Sequence, residues 1–154
     1  MKKAFFIVGG VGIVLLIFSF VRMFSGPTSA SPQPHSPVSA SMEAQLRPDA
    51  EVRATIHRAC YACHSNNPEN PWYAGVWPIS SFVTADRQTG SARLNFSEWD
   101  RLSPEMSKIR LNDACVMMSQ DKMPLWYYRP FHPMSGVSSR EVQHFCDWVK
   151  GLPE

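Results

Sequence analysis

Two cysteines and a histidine lie close together in the stretch Cys60-Tyr61-Ala62-Cys63-His64. Side chains three positions apart share one face of a helical turn, so both thiols can reach the two vinyl groups on one edge of a porphyrin. The histidine that follows can then present an imidazole nitrogen to the iron. The spacing predicts covalent attachment of one haem c through Cys60 and Cys63, with His64 as the proximal iron ligand.

Two other kinds of site also use a Cys-x-x-Cys pair. A zinc site needs two more ligands at short spacing, but the remaining cysteines, Cys115 and Cys146, stand far apart in the sequence. A thiol–disulfide redox motif normally accompanies a βαβ pattern, and the sequence has no convincing strand. Haem attachment is therefore the favoured interpretation, with a non-haem metal or thiol module as its alternative.

An electron-transfer haem usually has a second axial ligand, and Met123 is the best candidate. It follows a predicted helix end, and Pro124 stiffens the turn that would aim its thioether. His132 is the rival distal ligand, because imidazole also binds haem iron. Other methionines recur at helical spacing and are expected to fill the core: Met106, Met117 and Met118.

Aromatic residues are concentrated in two proline-containing loops, and we expect them to contact the haem. Trp72 and Tyr73 lie in the first loop and Tyr127 lies in the second. A tyrosine hydroxyl or an indole N–H in such a loop can donate a hydrogen bond to a haem propionate. The alternative is that these rings fill the protein core.

The elements that must position these residues are helices. Apolar residues recur at helical spacing from Val52 and Ile56 to Cys63, in a segment whose first helical residue is predicted to be Pro48. The Cys-x-x-Cys pair therefore falls at the end of a short amphipathic helix.

Two more helices are predicted in the middle of the chain. The first begins near Ile79 and is expected to stop at Gly90. The second begins at Ser103, which is followed by proline and an acidic residue. Its expected inward residues are Met106, Ile109, Ala114 and Met117.

A last helix is predicted from the capping box formed by Ser138 and Glu141. Its expected inward residues are Val142, Phe145, Cys146, Trp148 and Val149. With no convincing strand, the sequence predicts a small all-α domain with long Pro-rich loops. A domain so rich in loops usually needs a bound cofactor or a disulfide to stabilise it.

The N-terminus carries an export signal. Lys2 and Lys3 precede an apolar run that extends to residue 24, nearly long enough to cross a bilayer as one helix. The lysines favour an N-terminus inside the cell, which places the following residues outside the cytoplasm. An uncleaved single-pass anchor is favoured by the length of the run, and a cleaved signal peptide is the alternative.

The rest of the chain divides into a linker and one domain. Residues 25–47 are rich in Pro, Ser and Ala and are predicted to form a flexible tether, and residues 48–154 form the predicted haem-binding domain. The net charge of +2 and the absence of a basic stripe exclude nucleic acid as an expected partner.

Cys115 and Cys146 remain outside the haem motif. Outside the cytoplasm two such thiols are expected to form a disulfide, which would join the third predicted helix to the last. Two buried, reduced cysteines are the alternative.

The combination of motifs resembles the bacterial haem-binding domain family of short, c-type cytochrome-like proteins. The similar stretches span residues 48–151 and are the following: Cys60 to Asn66, Asn70 to Tyr73, Pro78 to Ser80, Gly90, Leu94 to Trp99, Met123 to Tyr128, His132-Pro133, and Ser138 to Trp148. The resemblance implies a compact cytochrome c-like fold with covalent haem c. It implies that Cys60 and Cys63 attach the haem, that His64 is the proximal ligand and that Met123 is the distal ligand.

The resemblance also favours the disulfide between Cys115 and Cys146. The chain departs from the family pattern near Asp86, where a histidine is expected, and at Ser91, where an arginine is expected. Any family role of those two positions does not carry over to this chain.

These observations together predict a monohaem c-type cytochrome in the bacterial inner membrane, with its globular domain on the periplasmic side. It would carry single electrons between redox proteins and would not be an enzyme, because the sequence supplies no acid–base pair beside Met123. The alternative is a haem-based enzyme or a gas or redox sensor with a displaceable distal ligand.

Overall fold

The computed structural model describes residues 13, 14 and 36–153. Between residues 36 and 153 it is helical and contains no strand, which confirms the predicted all-α class. The α-helices of this range are α1 (Met42–Leu46), α2 (Ala50–Ala59), α3 (Tyr61–His64), α4 (Ile79–Arg93), α5 (Pro104–Ser119) and α6 (Ser139–Lys150). A short 3-10 turn, Val38–Ala40, precedes α1. Four others lie between the helices: Trp72–Gly75, Trp99–Arg101, Arg129–Phe131 and Pro133–Ser135.

No helix in the described ranges is both long and apolar enough to span a bilayer. The predicted membrane segment, residues 1–24, lies outside the described residues except for Ile13 and Val14. Residues 25–35 of the predicted linker also lie outside them.

The chain divides into two compact units. Of the described residues, the first comprises 13, 14 and 70–86, and the second comprises 36–69 and 87–153. Helix α4 begins in the first unit and ends in the second.

The described part of the first unit contains the turn Trp72–Gly75 and the beginning of α4. Tyr73 is buried, whereas Trp72 is 83% exposed, and their rings meet edge to face. Within α4 the Thr84 hydroxyl donates to the Ser80 carbonyl, so it is satisfied by its own helix.

The second unit has a core formed where α2, α5 and α6 meet. Helix α5 packs against α6, and α2 packs against both α3 and α6. The largest side chains that are almost fully buried there are Trp99, Phe96, Phe145, Met42, Ile56 and Leu111. Burial of large apolar side chains of this kind stabilises each by roughly 1.5–3 kcal/mol relative to exposure.

Side-chain caps determine where the three longer helices of this unit begin. The carboxylate of Asp49 accepts hydrogen bonds from the backbone of Glu51 and Val52, so α2 starts after Asp49 rather than at Pro48 as predicted. Ser103 caps α5, as predicted. At α6 Ser138 and Glu141 form the predicted capping box. Each cap satisfies backbone N–H groups that have no partner within the helix.

The inward face was predicted correctly for α6 and only in part for α5. Phe145, Cys146 and Val149 are buried in α6. In α5, Met118 is buried and Ala114 packs against the core, as expected. Met106 and Ile109, however, are 37% and 48% exposed, and the other buried residues are Ser107 and Leu111. The predicted stripe was displaced by about one residue, which rotates a helix by roughly 100°.

The packed unit begins earlier than the sequence predicted. Residues 36–47 were expected to belong to a flexible linker, but Val38–Ala40 and Met42–Leu46 are helical. Met42 is fully buried, and its backbone N–H donates to the Phe96 carbonyl at 2.9 Å. Burial of Met42, together with packing of Leu46 against the same core, anchors this segment.

The expected end of α4 at Gly90 was wrong, because the helix continues to Arg93. Glycine costs about 1 kcal/mol inside a helix relative to alanine, which is why it suggested a terminus. Here Gly90 allows the backbone of α4 to approach the backbone of Cys63 closely.

A disulfide joins Cys115 of α5 to Cys146 of α6, with their Cα atoms 5.4 Å apart. The bond links the two helices that form the largest interhelical contact of the second unit.

Candidate haem site

The Cys60–His64 segment is a tight turn whose shape is fixed by its own backbone. Cys60 ends α2 and directly precedes α3. Its carbonyl accepts hydrogen bonds from the backbone N–H groups of Cys63 at 3.1 Å and His64 at 3.0 Å. The two thiols and the imidazole therefore start from adjacent positions on one helical turn.

The end of α4 holds this turn from outside. The Arg87 Nε donates to the Ala62 carbonyl at 3.0 Å, and a terminal nitrogen of the same guanidinium donates to the Glu69 carbonyl at 2.9 Å. A Cβ atom added at Gly90 would lie 2.7 Å from the Cys63 carbonyl oxygen. Only glycine allows the two backbones to approach so closely without one of them moving.

The His64 imidazole is oriented by a backbone carbonyl. Its Nδ1 lies 2.9 Å from the Leu94 carbonyl oxygen. A carbonyl can only accept, so Nδ1 carries the proton and Nε2 keeps its lone pair. Burial lowers the pKa of His64, partly opposed by the carbonyls of Leu94 and Gly90. A neutral imidazole with a fixed Nδ1–H is the form that binds metals through Nε2.

The two thiols of the turn lie near each other and are half-buried. Burial, followed by the neighbouring Cys63 thiol, raises the pKa of Cys60 to about 12, and the Arg58 charge opposes this only in part. Cys60 is thus a protonated thiol at neutral pH.

An aromatic row supports the other side of the turn. Tyr61 stacks on Phe96 with ring centroids 5.7 Å apart, and Phe96 stacks on the buried Trp99 at 6.2 Å. The backbone N–H of Phe96 donates to the His64 carbonyl at 2.8 Å. The Tyr61 hydroxyl donates to Glu43 of α1 at 2.6 Å, and burial together with Glu43 raises the pKa of Tyr61.

A buried asparagine fixes the path of the chain after the turn. The Asn66 side chain donates to Glu98 at 2.9 Å and to the Ser36 hydroxyl at 2.8 Å, and accepts from Asn95 at 2.7 Å. Its backbone N–H donates to the Ser97 hydroxyl at 3.1 Å. The segment from Asn95 to Glu98 is thereby joined to the exit of the turn.

Met123 lies just beyond α5, where the chain turns. It is partly buried against the same core cluster that Cys60 contacts. Its backbone N–H donates to the Met117 carbonyl at 3.3 Å, and the following residue, Pro124, is buried. The structure thus places the predicted distal ligand on the core that also borders the attachment turn.

The rival ligand His132 has a different environment. Its ring stacks on Tyr128 with centroids 3.9 Å apart, and partial burial lowers its pKa. Tyr127, a predicted haem contact, is 42% exposed. The other two predicted aromatic contacts, Trp72 and Tyr73, belong to the first unit.

Sequence reasoning missed several residues that shape the turn. Arg87 was not recognised, although it lies next to the departure noted at Asp86. Leu94 and Phe96 act through backbone groups, whose partners no side-chain pattern reveals. The stretch Leu94 to Trp99 could have indicated Leu94 and Phe96, because it is one of the stretches that resemble the haem-binding domain family.

The donor set of the turn fits haem. It offers a neutral imidazole with an available Nε2 and two thiols on one helical turn. Within residues 36–153 no group of three or more His, Cys, Asp or Glu side chains is arranged to hold a metal ion by itself.

Helix α4 carries apolar side chains, but none of them is buried, and Phe82 is 67% exposed.

Comparison with known proteins agrees with this chemistry. Residues 13–151 match the haem-binding domain family. No curated protein and no solved structure gives a significant match to the chain. Because the family match extends over most of the 154 residues, the chain belongs to the haem-binding domain family.

Proposed function

We propose that this protein is a membrane-anchored c-type cytochrome that carries single electrons outside the cytoplasmic membrane. The observation that carries the proposal is the His64 imidazole, whose Nδ1–H donates to the Leu94 carbonyl so that Nε2 is available to iron. Membership of the haem-binding domain family supplies the cofactor.

In this proposal the haem is held covalently. Each thiol of Cys60 and Cys63 adds across one vinyl group: the sulfur bonds to one vinyl carbon and the proton passes to the other. The reaction consumes no oxidant, but it requires both cysteines to be reduced. A protonated Cys60 thiol carries the hydrogen that this addition transfers.

Bound haem supplies an iron that alternates between ferric and ferrous states. His64 and Met123 are the proposed axial ligands, and both are neutral. Replacement of a second imidazole by a thioether favours the ferrous state and raises the reduction potential. The hydrogen bond to Leu94 would hold the orientation and tautomer of the imidazole that binds the iron.

The proposed location follows from the N-terminus. The apolar run up to residue 24 would anchor the chain in the bacterial inner membrane as a single helix, with the domain in the periplasm. The Pro- and Ser-rich residues 25–35 would act as a tether. A tethered domain encounters membrane redox proteins at a high effective concentration, so weak, brief contacts suffice.

A spectroscopic experiment on membrane fractions tests the proposal. A pyridine haemochrome spectrum of type c in the membrane fraction, together with slow, incomplete carbon monoxide binding by the ferrous protein, is the expected result. Rapid and complete carbon monoxide binding would favour the sensor or enzyme alternative instead. The low-spin spectrum should disappear in Met123→Ala and persist in His132→Ala; the reverse would make His132 the distal ligand.

A further inference from the structure

Arg129 contacts the chain on both sides of Met123. Its Nε donates to the Pro124 carbonyl at 3.2 Å, and its Nη2 donates to the Asp121 carbonyl at 3.4 Å. The same guanidinium pairs with the Asp121 carboxylate, through Nη1 at 3.4 Å and through a shorter contact from Nη2. One planar group thus bridges the residues that flank the proposed distal ligand.

The beginning of this turn is also joined to α5 by main-chain hydrogen bonds. After α5 ends, the backbone N–H of Asp121 donates to Met118 at 3.0 Å, and that of Lys122 donates to Met117 at 2.9 Å. Asp121 has a left-handed backbone with φ of 54°, which aspartate tolerates better than most residues. These bonds connect the turn to α5, whereas the Arg129 side chain connects it to the segment that follows.

We propose that Arg129 is a positioning residue that holds the Met123 thioether in the place where it binds the iron; this rests on the proposed function. A thioether is a weak, neutral ligand, so a small displacement of the turn favours its replacement by another ligand. The guanidinium suits the role because it donates from several nitrogens in one plane, which lysine cannot do.

The two kinds of contact should differ in importance. The Arg129 side chain is 32% exposed, whereas that of Asp121 is 81% exposed. Water and salt screen an ion pair to so exposed a carboxylate. The bonds to the two carbonyls therefore contribute most of the positioning.

Imidazole binding to the ferric holoprotein measures how often Met123 leaves the iron. A ligand that binds only the open state has an apparent Kd inversely proportional to the population of that state. We expect Arg129→Gln to lower the apparent Kd for imidazole by roughly tenfold, and Asp121→Asn by only about two- to threefold. Arg129→Lys should resemble Arg129→Gln, and the Asp121→Asn/Arg129→Gln double variant should equal Arg129→Gln alone.

Arg101→Gln is the matched control, because Arg101 also pairs with a nearby carboxylate, that of Glu98, away from Met123. It should leave the Kd for imidazole unchanged. A wild-type Kd in Arg129→Gln, or an equal change in Arg101→Gln, would overturn the positioning role.

Met123→Ala separates this inference from the ligand assignment. If Met123→Ala abolishes the absorption band of thioether-ligated ferric haem while Arg129→Gln changes neither the band nor the Kd, only the role of Arg129 fails. If the band survives in Met123→Ala, the ligand assignment fails and the role of Arg129 fails with it.

Discussion

Two segments of the second unit carry the proposed haem ligands, and they are held in different ways. In the proximal segment, residues 60–66, the carbonyls of Cys60 and His64 accept backbone hydrogen bonds, and Ser65 and Asn66 are buried. In the distal segment, residues 121–138, Trp126 is 77% exposed and Met134 is 75% exposed.

The difference separates a preformed site from an adjustable one. Backbone hydrogen bonds within the turn and from Phe96 hold the proximal segment, and these bonds do not depend on side-chain rotamers; the Arg87 and Asn66 side chains add to them. The turn around Met123 has main-chain bonds to α5, but its connection to the segment that follows comes from Arg129, a long side chain with considerable rotamer freedom to lose. Attachment and proximal ligation should therefore be robust, whereas distal ligation should respond to mutation, ligands and partners.

Covalent attachment of haem should distinguish the proximal segment from the distal segment most strongly. Cys60→Ser/Cys63→Ser should lose all covalent haem, because no thioether can form, whereas Met123→Ala should keep it. The measurement is the pigment that stays with the protein after acid–acetone extraction. Haem retained by the double serine variant would contradict proximal attachment.

Loss of the disulfide should have the next largest effect. Cys115→Ser/Cys146→Ser opens a loop with a sequence separation of 31 residues. In the chain-entropy model such a loop stabilises the folded state by roughly 3–4 kcal/mol. Because α5 leads directly into the distal segment, imidazole should also bind more tightly to this variant. Chemical denaturation measures the first effect, and an unchanged midpoint would show that the bond does not constrain the fold.

Gly90→Ala tests how closely the proximal turn is packed. The new Cβ would lie 2.7 Å from the Cys63 carbonyl oxygen, so the backbones must separate. Overpacking of this kind lowers the free energy of unfolding by roughly 1–3 kcal/mol. The better helix propensity of alanine offsets about 1 kcal/mol of this loss.

Gly136→Ala in the distal segment is the matched control for Gly90→Ala. A Cβ at Gly136 meets nothing within 4 Å. Its free energy of unfolding, measured by urea titration, should change by less than about 1 kcal/mol, and it should rise rather than fall. Equal destabilisation by both substitutions would remove the contrast between the segments.

A smaller effect is expected at the contact between α2, which leads into the proximal segment, and the end of the distal segment. The Arg58 side chain donates to the Gly136 carbonyl at 3.2 Å and to Glu141 at 2.7 Å. The backbone N–H of Ser138, followed by Arg58 and the Ser138 hydroxyl, lowers the pKa of Glu141 from 4.5 to about 2. A carboxylate with a lowered pKa stabilises the fold above its unfolded pKa, and this contribution is lost as the pH falls through the folded pKa.

Glu141→Gln should therefore cost about 1 kcal/mol at neutral pH. The difference in the free energy of unfolding between Glu141→Gln and the unsubstituted protein should become smaller as the pH falls from about 4.5 towards about 2. Unfolding free energies measured across this range provide the check. A difference that is constant with pH would mean that the charge of Glu141 does not stabilise the fold.

Local sequence signals predicted a large part of the fold. The capping box at Ser138, the cap at Ser103 and the buried face of α6 all follow from rules that act within one or two turns. The haem-binding family was likewise identified from short motifs.

The parts that sequence could not predict depend on contacts between distant segments. The sequence predicts a helix end at Gly90, because no neighbouring residue indicates that the Cys63 carbonyl lies against it. Met42 sits in a Pro- and Ser-rich stretch, and only the core around Phe96 explains its burial. The roles of Arg87 and Arg129 depend on carbonyl groups, which every residue has and no pattern distinguishes.

The mass of one peptide tests the central claim most directly. The protein should be produced in cells with a working cytochrome c maturation system, exported, and digested without reduction. If both thiols bind haem, the peptide containing Cys60 and Cys63 should carry the added mass of one haem. The same peptide at its unmodified mass, from a colourless protein that binds zinc instead, would contradict covalent haem attachment.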